Sequence, residues 1–140
     1  MIINRVLDNG VRVVMEDLPY VKSVSLGIWV KAGSVDEMPA NLGISHLIEH
    51  MMFKGTEERS AKKIAEDVDR IGGNMNAFTG KEATCYYIKV LEGNLDKACD
   101  ILTDMFMNSK YDEEELVKEK NVIFEEIKMI EDSPEEYVSD

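Results

Sequence analysis

The sequence predicts an α+β fold, and three observations predict it. Short alternating segments typical of strands fill the first thirty residues and recur between residues 74 and 91. Longer stretches at 43–53, 60–71, 94–108 and 112–132 carry the apolar period of helices. The two kinds are mixed without strict alternation, which disfavours a doubly wound parallel sheet. The expected architecture is therefore a mixed, mostly antiparallel sheet packed with helices.

Arg5-Val6-Leu7 and Val11 to Met15 flank Asp8-Asn9-Gly10, and Asn-Gly between apolar runs marks a hairpin. Val24 to Val30 alternates and is rich in β-branched residues, as a half-buried strand requires. Gly33, Pro39 and scattered polar residues make 31–41 a loop. Gly43 to Phe53 reads as a helix. Ser60 can cap the next helix, which Gly72-Gly73 ends. Asn74–Thr79 and Thr84–Leu91 are strands around a turn at Gly80-Lys81. Asn94–Asn108 places Leu95, Ala98, Ile101, Leu102 and Met105 on one side of a helix. Asp112 to about Asp132 is a long charged helix, and Ser133-Pro134 starts another. That helix has six further residues in the sequence, so the chain is expected to be one domain, 1–140, and an incomplete one.

Composition excludes more than it selects. A hydrophobic content of 44% suits a packed core and argues against disorder. The formal charge of −12 repels nucleic acid and anionic membranes, and favours cationic or peptide partners. Cys85 and Cys99 lack the spacing of a metal knuckle or redox pair, which fits free thiols in a reducing compartment. The first residues lack the layout of a signal peptide and no apolar run reaches membrane-spanning length, so a cytoplasmic location is expected.

The chemistry-bearing segment is Ser45-His46-Leu47-Ile48-Glu49-His50-Met51-Met52-Phe53-Lys54-Gly55-Thr56. Residues four apart on a helix project from one face, which is the separation two imidazoles need to share one tetrahedral zinc. His46 and His50 are also the only two histidines of the chain. Their apolar neighbours predict a buried helix, and burying two imidazoles and a carboxylate without a partner is costly. Glu49 stands where a carboxylate could take the proton of a water on the metal.

Two histidines leave a ligand to find. In 112–132 the stripe Leu116, Ile123, Ile127 and Ile130 marks the face expected to be buried, at helical spacing. Glu119 and Glu126 fall in that stripe, while Glu125 and Glu131 lie off its centre. Glutamate is rarely buried unpaired. Glu126 as third ligand and Glu119 as a carboxylate orienting a histidine would account for both. Edge positions on a strongly acidic helix account for them equally well.

His46-Leu47-Ile48-Glu49-His50 is the inverted zincin pattern H-x-x-E-H. With Phe53-Lys54-Gly55-Thr56, Gly72 to Thr79, Thr84-Cys85-Tyr86-Tyr87 and Glu119 to Ile127, the chain resembles the pitrilysin and insulin-degrading enzyme family along nearly its whole length. The similarity is greatest to the branch of the mitochondrial processing peptidase β-subunit and its bacterial relatives. The resemblance implies a zinc metalloendopeptidase holding one zinc ion per chain through His46, His50 and Glu126, with Glu49 as general base and Glu119 supporting a ligand. It implies that Asn76, Ala77 and Phe78 form an edge strand that pairs with an extended peptide. Phe53 matches an aromatic residue beside the scissile bond, or else is a core phenylalanine. Glu136 and Asp140 match residues that take a basic substrate side chain, or else are a solvated acidic face. Family enzymes are several times longer and close a chamber from two homologous halves. The resemblance thus implies a missing C-terminal half or partner subunit, and weak or absent turnover by this chain alone. A homo-oligomer is compatible with the sequence.

Overall fold

A computed structural model of the chain describes residues 1–132; the helix expected from Pro134, with Glu136 and Asp140, lies outside the described residues. Strands β1 (Ile2–Val6) and β2 (Arg12–Glu16) form a separate antiparallel hairpin. Its turn closes with Gly10 at φ +85°, a left-handed conformation that glycine adopts freely. Strand β3 (Ser23–Val30) runs to the loop before helix α1 (Ile44–Met52), which is followed by α2 (Ala61–Arg70). Strands β4 (Asn74–Thr79) and β5 (Thr84–Leu91) follow, then α3 (Leu95–Asn108) and α4 (Glu113–Glu131). The fold is α+β, and every strand pairing among the described residues is antiparallel.

The main sheet has the order β3-β5-β4, so β5 is central and β4 an edge. Register follows the side-chain alternation. Leu26, Ile28, Met75, Ala77, Tyr86 and Ile88 face the helices, with Leu26 opposite Ile88 and Ala77 opposite Tyr86. Against them pack Met52 of α1, Ile64 and Val68 of α2, and Ala98, Ile101, Leu102 and Met105 of α3. Met51, Ile88, Leu102 and Met105 are fully enclosed, and each contributes about 1.5–3 kcal/mol of hydrophobic stabilisation. The sheet's other face carries Trp29, Phe78 and Tyr87, with Trp29 edge-on to Phe78 at 5.5 Å.

Helix ends are capped much as the sequence suggests. Ser60 Oγ accepts the N–H of Lys63, and Asp112 Oδ1 accepts those of Glu114 and Glu115. Gly72 takes φ +61° just beyond α2. The start of α1 depends on a more distant group, because Glu37 accepts the N–H groups of Gly43 and Ser45 at 2.6 and 2.8 Å. One expectation fails on α4: Ile127 and Ile130 are exposed, and the described residue that the helix buries is Glu119. Periodicity identifies an apolar face; it does not supply an element to cover it.

Two polar features hold the loops around this core. Gly33 sits so close to the β4–β5 turn that a Cβ there would lie 2.4 Å from the Gly80 carbonyl oxygen and 2.5 Å from that of Lys81. Asp104 of α3 is 7% exposed and accepts hydrogen bonds from Thr56, Arg59 and Asn108. Burial raises its pKa, but the hydrogen bonds from Asn108, Arg59 and Thr56 outweigh that and hold the carboxyl below the usual range.

Gly33→Ala should lose about 1–3 kcal/mol in a urea titration, because the backbone must move to admit the methyl group. The depressed Asp104 stabilises the fold fully above the unfolded pKa near ~3.9, and that contribution is lost as pH falls through its lower folded value. Asp104→Asn should therefore cost about 1.5–3 kcal/mol at neutral pH and flatten the acid limb of stability against pH, read by circular dichroism.

Candidate metal centre

Helix α1 lies between β4 and α4, and this placement assembles the site. Its four-residue spacing brings His46 Nε2 and His50 Nε2 to 3.1 Å, with the rings nearly perpendicular. Helix α4 crosses the same face of α1 and sets Glu126 Oε2 at 3.7 Å from each of these nitrogens. Among the described residues these three make up the group of metal-ligating side chains whose donor atoms all lie within 4.8 Å of one another. Glu125 instead faces solvent, 70% exposed, and pairs with Lys128 along α4.

The geometry fits a zinc ion. Tetrahedral ligands at zinc–nitrogen and zinc–oxygen distances near ~2.0–2.2 Å stand about 3.3–3.6 Å apart, close to the spacings of this trio. The donor set is also chemically suited, since two imidazoles and a carboxylate leave a fourth position for water or substrate. His46 and Glu126 are about 40% exposed and His50 is 19% exposed, so the open side of the trio meets solvent.

The far side of His50 is fixed. Its Nδ1 lies 3.0 Å from Glu119 Oε2, and Glu119 Oε1 lies 2.5 Å from Lys54 Nζ. Burial raises the Glu119 pKa, but Lys54 and His50 outweigh it and keep the carboxyl below the usual range. An ionised carboxylate only accepts, so the Nδ1–H of His50 donates to Glu119, and Nε2 is the ring atom that faces His46 and Glu126.

Glu49 lies on the same helix, α1, and its carboxylate accepts a hydrogen bond from the Thr79 hydroxyl at the end of β4. The general-base candidate is thereby tied to the strand that carries Asn76, Ala77 and Phe78. That strand is the sheet edge; Ala77 faces the core, Phe78 is half exposed on the opposite face, and Asn76 Oδ1 accepts the N–H of Ala77 at 2.9 Å. Phe53 packs against the hydrophobic core at the end of α1. Lys54 and Thr79 were not singled out from the sequence. Their proximity to the H-x-x-E-H segment and to the Asn76 strand was the available signal.

The family model described as insulinase (peptidase family M16) matches residues 12–140. The chain belongs to that M16 family. It is 58% identical over 132 residues to a Bacillus subtilis protein named an uncharacterized zinc protease, YmxG, covering 94% of this chain and 32% of that one. A Streptomyces coelicolor protein, also named an uncharacterized zinc protease, is 48% identical over 134 residues, covering 96% and 29%. Among solved structures, a protease from Helicobacter pylori superposes with a TM-score of 0.93 at 31% identity, covering 98% of this chain and 33% of that one. The M16 chain described here thus spans about a third of the length of these relatives. Among its described residues, no helix is long and apolar enough to cross a membrane.

Elemental analysis after dialysis should find about one zinc per wild-type chain, as a three-ligand site with an open position requires. Glu126→Gln should lower that content sharply, whereas Glu125→Gln should leave it unchanged.

Proposed function

We propose that this chain is the N-terminal, zinc-carrying domain of an M16 metalloendopeptidase that hydrolyses peptide bonds in extended, unstructured peptides or presequences. The observation that carries the proposal is the meeting of His46, His50 and Glu126 from two helices, with Glu49 of the first helix hydrogen-bonded to Thr79. The names of the relatives support the same reading.

Zinc in such a site polarises a carbonyl and makes a water acidic enough to act near neutral pH. His46, His50 and Glu126 hold the ion, and Glu119 keeps His50 in the tautomer that can ligate. Glu49 takes the proton of the attacking water and returns it to the leaving amine. The Thr79 hydroxyl holds the Glu49 carboxylate toward the end of β4, where the scissile bond of a strand laid along that edge arrives. Peptide main chain pairs with the free edge of β4 at Asn76, Ala77 and Phe78, so recognition depends on extended conformation more than on side chains. Phe53 contacts the residue beside the scissile bond. Glu136 and Asp140 take basic side chains, in keeping with the net charge of −12.

Oxyanion stabilisation is commonly a large part of catalysis. We assign part of it to the two-thirds of the relatives' length that this chain does not span, whether in the same polypeptide or a partner subunit. Turnover of a quenched-fluorescent peptide by the zinc-loaded 140-residue chain should therefore be weak or absent, and should rise when the rest of the relatives' length is joined to it. In that longer polypeptide, Glu49→Gln should retain zinc yet lose roughly a hundredfold or more in kcat. Undiminished cleavage by Glu49→Gln would remove Glu49 from the mechanism.

A further inference from the structure

We propose that Lys54 is the positioning residue of this site: its ammonium group clamps Glu119 so that His50 keeps its proton on Nδ1 and turns Nε2 toward His46 and Glu126. The inference rests on the zinc reading above for its consequence, and on geometry for its substance.

Lys54 lies in the turn that ends α1, where its N–H bonds the Met51 carbonyl at 3.0 Å. From there Nζ reaches one oxygen of Glu119 at 2.5 Å while the other oxygen meets His50 Nδ1 at 3.0 Å. Each oxygen thus has one partner, and the plane of the carboxylate is set by two points, one on α1 and one in the turn that ends it. Without Lys54 the carboxylate could rotate about its last bonds and offer His50 either oxygen or neither.

The same contact fixes α4. Glu119 is the described residue of α4 that is buried; Leu116 and Ile123 are half-buried and the remaining apolar side chains are exposed. Besides the contacts of Glu126 with His46 and His50, the other ion pairs of this helix, Lys118 with Glu115 and Lys128 with Glu125, lie within α4 and cannot tie it to α1. Glu126 sits two turns beyond Glu119 on the same face. The Lys54–Glu119–His50 chain therefore resists rotation of α4 about its axis, and such rotation would carry Glu126 away from the two imidazoles. A buried carboxylate that loses its lysine partner is also strongly destabilised where it stands, which favours that movement.

The test compares Lys54→Met, Lys54→Arg, Glu119→Gln and the double variant Lys54→Met/Glu119→Gln in the 140-residue chain. The first readout is the zinc dissociation constant, by competition with a chromophoric chelator. The second is the His50 tautomer in the metal-free chain, by long-range proton–nitrogen NMR. Lys54→Met should weaken zinc binding roughly tenfold or more and mix the His50 tautomers, and Lys54→Arg should restore most of both. In the double variant, Lys54→Met should add nothing to the loss caused by Glu119→Gln. Zinc binding by Lys54→Met within about twofold of wild type, or losses that add in the double variant, would overturn the proposal. Lys54→Gln, which keeps a polar side chain, replaces Lys54→Met if circular dichroism shows that the latter does not fold. Failure of the wild-type chain to bind zinc would count against the proposed function, and the tautomer comparison would still decide the role of Lys54.

Discussion

A carboxylate buried between a lysine and a histidine is the interaction on which this structure turns. Taking Glu119 out of water costs several kcal/mol, and only close, well-oriented partners offset that. Lys54 and His50 are such partners, both supplied by one helix and the turn that ends it. Everything the trio needs follows from this arrangement: the tautomer of His50, the angle of α4 and the arrival of Glu126. The fold accepts an expensive burial at this point, and in return a surface helix acquires a defined register.

Rigidity is unevenly distributed around that point. The sheet and α1 to α3 share a dry core in which Ile88 and Met105 are fully enclosed. Helix α4 relies on polar contacts and on half-buried Leu116 and Ile123, with Phe124 and Met129 exposed. Elements with few buried apolar contacts open first. Two members of the proposed ligand trio therefore stand on the stiff part of the molecule and the third on the part that yields. Thr79 draws Glu49 to the stiff part as well, through β4.

Much of this was legible in the residues, for identifiable reasons. Turn glycines and capping residues act locally, so the two strands around Gly80 and the four helices emerge within a residue or two of their observed ends, while the hairpin is placed correctly but its first strand begins three residues earlier than expected. The pairing of His46 with His50 is equally local. Glu126 was harder, because periodicity placed it in the apolar stripe and Glu125 off its centre, yet edge positions on a strongly acidic helix explained the carboxylates equally well. Resemblance to a known family pointed to Glu126, and the structure brings that residue to the imidazoles while Glu125 pairs with Lys128. The burial expected for Ile127 and Ile130 was misjudged because an apolar stripe says nothing about its neighbour. Lys54 and Thr79 escaped notice for a related reason: each acts on a side chain remote in sequence, and no local pattern records such a contact.

The long interval between the histidine pair and Glu126 makes ion affinity a measure of tertiary order. An unfolded chain could still offer two imidazoles from a transient turn, but not the distant carboxylate at the same time. Binding energy gained by the full trio is therefore folding energy, added to the stability of the native state in proportion to the logarithm of free ion concentration. If the trio holds the ion as proposed, chelation would weaken α4 before it weakened the sheet, since Glu126 is the member of the trio that α4 supplies. In a cell, scarcity of the metal would show itself first as a proteolytically vulnerable helix, and the protein's lifetime would become a function of metal supply.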